Sequence, residues 1–214
     1  MSHQVCPTIT AADQEEFNSQ IEKVTGFANR IHIDLMDGVF APSKSLPLDQ
    51  VWWPEGIVAD IHVMFQNPAP LLDELIKLKP NMVIVHAEAV CDVPLFASRL
   101  REYGIKTGLA LLPQTSVASV DYLLPHVQQV LIFSGNLGYQ GGSKADLSLL
   151  EKVGQVKQAH KWVEEIAWDG GITDTVARQL VEAGVDILNV GSFIHTSTNP
   201  SNAYNLIALQ TNDV

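Results

Sequence analysis

The chain has 214 residues, 46% of them hydrophobic, with 24 acidic and 13 basic side chains and a formal net charge of -11. Such an acidic surface argues against nucleic acid or an anionic membrane as the main partner. The two cysteines, Cys6 and Cys91, are too few for a disulfide framework and suit a reducing cytosol.

No run of about 18 apolar residues and no basic start followed by an apolar stretch occur. The expectation is therefore a cytoplasmic protein of one domain, residues 1–214, without a secretion signal or membrane span. Short apolar runs recur about every 25 residues, each followed by helical periodicity, the pattern of strands alternating with crossover helices. Strands are predicted at Gln4 to Thr8, Arg30 to Leu35, Val58 to Val63, Met82 to His86, Lys106 to Leu111, Gln129 to Phe133, Glu165 to Asp169 and Ile187 to Gly191. Helices are predicted at Gln14 to Thr25, Pro70 to Leu78, Pro94 to Tyr103, Ser116 to Leu124, Leu147 to His160, Thr175 to Ala183 and Asn202 to Leu209, with a poorly marked one after Asp49. Asn67-Pro68 opens one helix, and Tyr103-Gly104 and Ala183-Gly184 close two others. Eight βα units of this size close into a (β/α)8 TIM barrel, whereas an open doubly wound sheet stops at fewer strands. Residues from Val39 to Trp53, with Pro42, Pro47 and two tryptophans, read as a long cover over one end.

The second strand and the turn after it, His32 to Gly38, read "HIDLMDG". Alternation along a strand puts His32, Asp34 and Met36 on one face and Ile33 and Leu35 on the other, so both faces are enclosed. A buried carboxylate there needs a partner, a hydrogen bond or a metal. The third strand repeats the order, with Asp60, His62 and Met64 on one face of "ADIHVMF", and "EEIAWDGG" delivers Asp169 to the end of the seventh. His32, Asp34, His62 and Asp169 have the ligand types that zinc, ferrous iron, cobalt or manganese accept, zinc being the first choice. Three late strands end in glycine-rich backbone: "GNLGYQGGSK", "DGG" and "NVGS". Exposed backbone NH groups in such loops hold phosphate without calling on many lysines. Lys144 is read as exposed, Asp37 as a turn carboxylate, Asp60 as a support for its own strand, and His86 as a structural hydrogen-bonding residue.

Taken together, "CPTIT", "HIDLMDGVFAP", "DIHVM", "HAEA", "GLALLPQT", "VLIFSGNLGYQGG", "WDGG" and "NVGSFI" resemble the ribulose-phosphate 3-epimerase family along nearly the whole chain. The resemblance implies a ribulose-phosphate-binding barrel that uses one divalent metal to interconvert ribulose 5-phosphate and xylulose 5-phosphate. It implies His32, Asp34, His62 and Asp169 as metal ligands, with Asp34 and Asp169 also the acid/base pair. Substrate contacts carry over to Thr8, Met36, Met64, Gly138, Tyr139, Gln140, Gly141, Gly170, Gly171, Gly191 and Ser192, and the family suggests a homo-oligomer. Inverting C3 requires a proton taken from one face and another returned to the opposite face, which two carboxylates on opposite faces achieve. A metal on the C2 oxygen would stabilise the enediolate as a Lewis acid, and Met36 and Met64 would form an apolar wall.

The chain departs from the family at Phe133 and in the loop after it, where Leu137, Gln140 and Gly142 alter the presumed phosphate contacts. Val39 and Ser43 also differ from the residues usual in the family. The rival readings are a 3-epimerase of a hexulose phosphate such as allulose 6-phosphate, and a sugar-phosphate-binding barrel without turnover. A lyase reading is disfavoured, because the Asp-x-Lys-x-x-Asp segment of the related decarboxylases has methionine, Met36, at its lysine position here.

Overall fold

The computed structural model describes residues 3–212. Eight parallel strands run β1 (Gln4–Ile9), β2 (Arg30–Met36), β3 (Val58–Met64), β4 (Met82–His86), β5 (Lys106–Leu111), β6 (Gln129–Phe133), β7 (Glu165–Asp169) and β8 (Ile187–Val190). They pair in chain order, and β8 pairs with β1 to close the barrel. The strands are buried on both faces, as expected for a parallel sheet whose outer side is covered by helices.

The helices are α1 (Gln14–Thr25), α2 (Leu72–Leu78), α3 (Val93–Arg101), α4 (Leu150–Ala159), α5 (Asp174–Ala183), α6 (Ser192–His195) and α7 (Pro200–Asn212). Their starts are marked chemically: Asp13 accepts from the Glu16 backbone NH, and Asp92 accepts from that of Leu95. Gly184 ends α5 at φ +103°, a conformation that costs glycine nothing.

Two expectations fail. Ser116 to Leu124 forms a 3-10 turn at Val117–Val120, and a second follows at Leu124–His126; no α-helix is present there. Valines and serines favour helix weakly, and Pro125 removes a backbone donor and disfavours helical geometry at Leu124. The helix expected after Asp49 is also absent, leaving a single 3-10 turn at Leu48–Gln50 among Pro42, Pro47 and Pro54. Leu46, Leu48 and Val51 are nonetheless buried in the outer core, so this irregular strap does the covering a helix would do. The short helix α6 was not expected.

Inside the barrel the side chains stack in layers. At the bottom, Arg30 reaches Asp60 at 2.6 Å and grips Glu165 through two bonds of 2.9 and 2.8 Å. Asn81 donates to Asp60 at 2.7 Å and Gln129 to Glu165 at 3.0 Å, so Asp60 supports the strands from inside as its sequence position suggested. Above lies an apolar layer that includes Cys6, Met82, Ile84, Leu131 and Ala167. Gly108 makes room there, since a Cβ would come within 2.8 Å of Ile84. The polar site residues occupy the layer above that, at the carboxyl ends of the strands, where the loops of such barrels converge.

Candidate active site

The β2–β3 ladder explains how the first two polar strands meet. Its register places Asp34 beside His62 and Met36 beside Met64. Asp34 Oδ1 lies 2.9 Å from His62 Nδ1, and Asp34 Oδ2 accepts from the Thr10 hydroxyl at 2.7 Å. Asp169 approaches from β7, with its Oδ2 3.5 Å from His32 Nε2 and 3.8 Å from His62 Nδ1. One ligand atom from each of His32, Asp34, His62 and Asp169 lies within 4.8 Å of the others, so the structure brings together the four residues singled out in the sequence.

Burial disfavours charge on His32, but Asp169 and Asp34 outweigh it and push its pKa up to about 10. Burial of Asp34 is likewise outweighed, first of all by His32, and its carboxyl is held well below the usual carboxylate range.

The imidazole chain behind the cluster shows what this set suits. Burial drives His86 down to about 4 against the opposing pull of Glu88, so the neutral ring carries one NH. Glu88 Oε2 lies 3.3 Å from His86 Nδ1 and claims that proton, leaving His86 Nε2 to accept from His62 Nε2 at 2.9 Å. This network assigns the His62 tautomer and turns its Nδ1 lone pair toward Asp34 Oδ1. A lone pair and a carboxylate oxygen at 2.9 Å repel unless a cation or proton lies between them. Both ring nitrogens of His32 are buried without a hydrogen-bond partner as well. The donor set therefore fits a divalent cation that accepts nitrogen and oxygen ligands.

Around this centre lies a cavity with about 540 Å³ of empty space, counted to its open mouth. Met36 and Met64, packed against Ala41 and Phe40, form one wall, and Phe133 forms another, its ring 6.1 Å from that of His62. The opposite side is backbone: Gly138, Gly141, Gly170, Gly171, Gly191 and Ser192 all line the cavity. Tyr139 lines its rim and is largely exposed. Gln140, the departure from a glycine, turns inward to donate to the Thr8 carbonyl at 3.1 Å and packs against Gly191. Lys144 is exposed.

A Cβ on Gly170, at φ +111°, would sit 2.2 Å from the Gly135 nitrogen, and one on Gly171, at φ +69°, would sit 2.0 Å from that of Ala145. No side chain fits, and the β6 and β7 loops are held against each other through bare backbone. Gly170→Ala is expected to separate the two loops and lower kcat/KM by about 100-fold, mainly through KM, as ångström-scale misplacement of a binding group does. Steady-state kinetics alongside a melting curve checks this.

Sequence reasoning overlooked Thr10, Glu88 and Asn189. Thr10 shares strand parity with Thr8 in "CPTIT", a signal that was legible. Glu88 follows His86 by two residues, but its bonds to His86 and to the Leu112 backbone depend on the fold. His86, expected to be structural, stacks directly on His62 with ring centroids 4.9 Å apart. Asp37 is a turn carboxylate as expected, accepting from the backbone NH groups of Val39, Phe40 and Gln66.

Closed barrel and histidine–aspartate cluster together define a TIM barrel with a candidate metal-binding site at the carboxyl ends of its strands. A family model described as "Ribulose-phosphate 3 epimerase family" matches residues 4–195, and the chain belongs to that family, whose members are isomerases. It is 32% identical over 199 residues to the ribulose-phosphate 3-epimerase of Helicobacter pylori, covering 90% of this chain and 91% of the relative. To the Bacillus subtilis enzyme of the same name it is 31% identical over 207 residues, covering 93% and 95%. Among solved structures, 3-hexulose-6-phosphate synthase from Salmonella typhimurium superposes with a TM-score of 0.76 at 15% identity, covering 100% of this chain and 99% of that one, a likeness of fold alone. No helix among the described residues is long and apolar enough to cross a membrane.

Proposed function

We propose that this protein interconverts D-ribulose 5-phosphate and D-xylulose 5-phosphate by proton transfer at C3, with Asp34 and Asp169 as the two acid/base groups. The observation that carries this reading is the arrival of two carboxylates at one cluster from β2 and β7, beside a cavity lined by glycines of the β6, β7 and β8 loops. His32, Asp34, His62 and Asp169 would hold a divalent cation, which when bound supplies Lewis acidity that makes the proton next to the carbonyl removable.

The remaining steps belong to side chains. The backbone at Gly170, Gly171, Gly191 and Ser192 anchors the phosphate, and Thr8 and Tyr139 line the same cavity. One aspartate, ionised, takes the C3 proton and leaves a planar enediolate. The other, protonated, returns a proton to the opposite face, and the roles reverse in the back reaction. Thr10 orients Asp34 by donating to Oδ2, so its free lone pairs have a fixed direction. Met36, Met64 and Phe133 keep water from the intermediate.

The test follows ribulose 5-phosphate in D2O with metal-loaded protein by NMR. Xylulose 5-phosphate formation with deuterium at C3 is expected, and absence of both overturns the reading. Metal analysis is expected to find about one divalent ion per chain. Chelation is expected to lower the melting midpoint by about 5–10 °C if the ion binds at roughly 100 times its Kd. Reloading should restore both midpoint and turnover.

A further inference from the structure

Asn189 lies in β8 with its side chain inside the barrel, and it is 3% exposed. Neither its amide oxygen nor its amide nitrogen has a hydrogen-bond partner within the protein, although it lines the active-site cavity. A buried amide left unpaired is costly, and nothing in the fold asks for one here. The other inward position of β8, Ile187, is apolar and packs in the layer below. This unpaired amide beside the cavity is thus available to a polar group that enters it. Thr8 Oγ1, also buried, unpartnered and lining the cavity, adds a second polar atom of the same kind.

The ladder fixes where Asn189 stands. It is directly across from Asp169 on β7 and from Cys6 on β1, and Gly191 follows it by two residues on its own chain. A ketose phosphate reacting at Asp169 and anchored at Gly170, Gly171, Gly191 and Ser192 must run past it. In a ketose 5-phosphate, C4 is the sole carbon between the reacting carbon and the one that bears phosphate, and it carries a hydroxyl. A hydroxyl both donates and accepts, and the amide offers both complements.

We propose that Asn189 is a specificity-determining residue that hydrogen-bonds the C4 hydroxyl of the ketose phosphate. This rests on the epimerase reading above and extends it by naming a feature of the substrate that the site requires. A site built around such a bond discriminates strongly against an analogue that lacks the hydroxyl, because the amide then stays unpaired in the complex.

The experiment compares wild type, Asn189→Leu and Asn189→Val, all metal-loaded, with ribulose 5-phosphate and with its 4-deoxy analogue. C3 proton exchange in D2O is read by NMR, and melting is read without substrate. The free variants are expected to melt at or above the wild-type temperature, since an unpaired buried amide has been removed. Their kcat/KM on ribulose 5-phosphate is expected to fall roughly 10- to 100-fold, the usual cost of leaving a buried polar group, here the substrate's hydroxyl, unpaired in a closed site. On the 4-deoxy analogue wild type and variants should be alike.

Kinetics unchanged from wild type on ribulose 5-phosphate would overturn the assignment, as would an equal loss on both substrates. Melting of both variants several degrees below wild type would overturn it too, by showing the amide to be structural. If wild type itself leaves the C3 proton of ribulose 5-phosphate unexchanged, the epimerase reading fails first and the assignment falls with it.

Discussion

Asp34→Asn and Asp169→Asn are each expected to lower epimerisation of ribulose 5-phosphate by about 10³-fold or more, within the range general acid/base groups supply. Loss of epimerisation alone would not separate a missing base from a disturbed cluster, so the isotope pattern matters more. A variant with one aspartate still has a base on one face of the substrate. Given the epimer whose C3 proton points to the surviving aspartate, it should exchange that proton with D2O without inverting the carbon. Given the other epimer it should do neither. Asp34→Asn and Asp169→Asn should therefore show opposite epimer preferences in the exchange reaction. Loss of exchange with both epimers in both variants, at full metal content, would contradict the two-carboxylate scheme. Asparagine keeps an oxygen ligand at each position, and metal analysis of the variants checks that the cation has been retained.

Arg30→Met is expected to destabilise the fold by about 3–5 kcal/mol, a midpoint loss of roughly ten degrees, while leaving the reacting groups in place. Arg30 and Asp60 are both almost fully buried, at 6% and 2% side-chain exposure, so removing the guanidinium strands a carboxylate inside the barrel with only Asn81 as partner. The burial that opposes the charge on Arg30 is outweighed by Glu165 and Asp60, which raise its pKa further. The double variant Arg30→Met/Asp60→Leu should recover part of the loss, because removing both ends of the buried Arg30–Asp60 pair deletes its desolvation cost along with its attraction, while Glu165 still lacks its two bonds from Arg30. Urea titration of the three proteins gives the comparison.

Acid acts on the same network. Burial raises Glu165, but Arg30 more than compensates and holds it below its ordinary value near 4.5. A depressed carboxylate contributes stability that is full above its unfolded pKa and is lost as pH falls through the folded one. Glu165→Gln should accordingly flatten the loss of stability below about pH 4.5, at the cost of lower stability at neutrality.

Much of this protein is legible along the chain, for identifiable reasons. Strands β4 to β7 have the expected limits, because each has an apolar centre with polar residues only at or near its ends. His32, Asp34, His62 and Asp169 stand out because they are ionisable side chains near the carboxyl ends of strands. The turns at Val117–Val120 and Leu124–His126 were misread because apolar residues three apart satisfy a 3-10 turn as readily as an α-helix. The strap after Asp37 has no periodicity to read, its burial being decided by barrel packing. Arg30 and Glu165 are separated by 135 positions, and their pairing follows only from closure of the ring. Asn189 was passed over because "NVGS" reads as a turn sequence, while its inward direction is a matter of strand parity.

The closing seam between β1 and β8 also bears on the order of events in a cell. Ribosomes deliver about 5–20 residues per second, so His32, Asp34 and His62 emerge roughly five to twenty seconds before Asp169 does. During that interval a nascent chain carries three members of the cluster without the fourth, and without the strands that will bury them. The tightly enclosed cluster described above is complete only when β7 has arrived and β8 has locked onto β1. Assembly of this cluster is thus a late event, made by the finished ring.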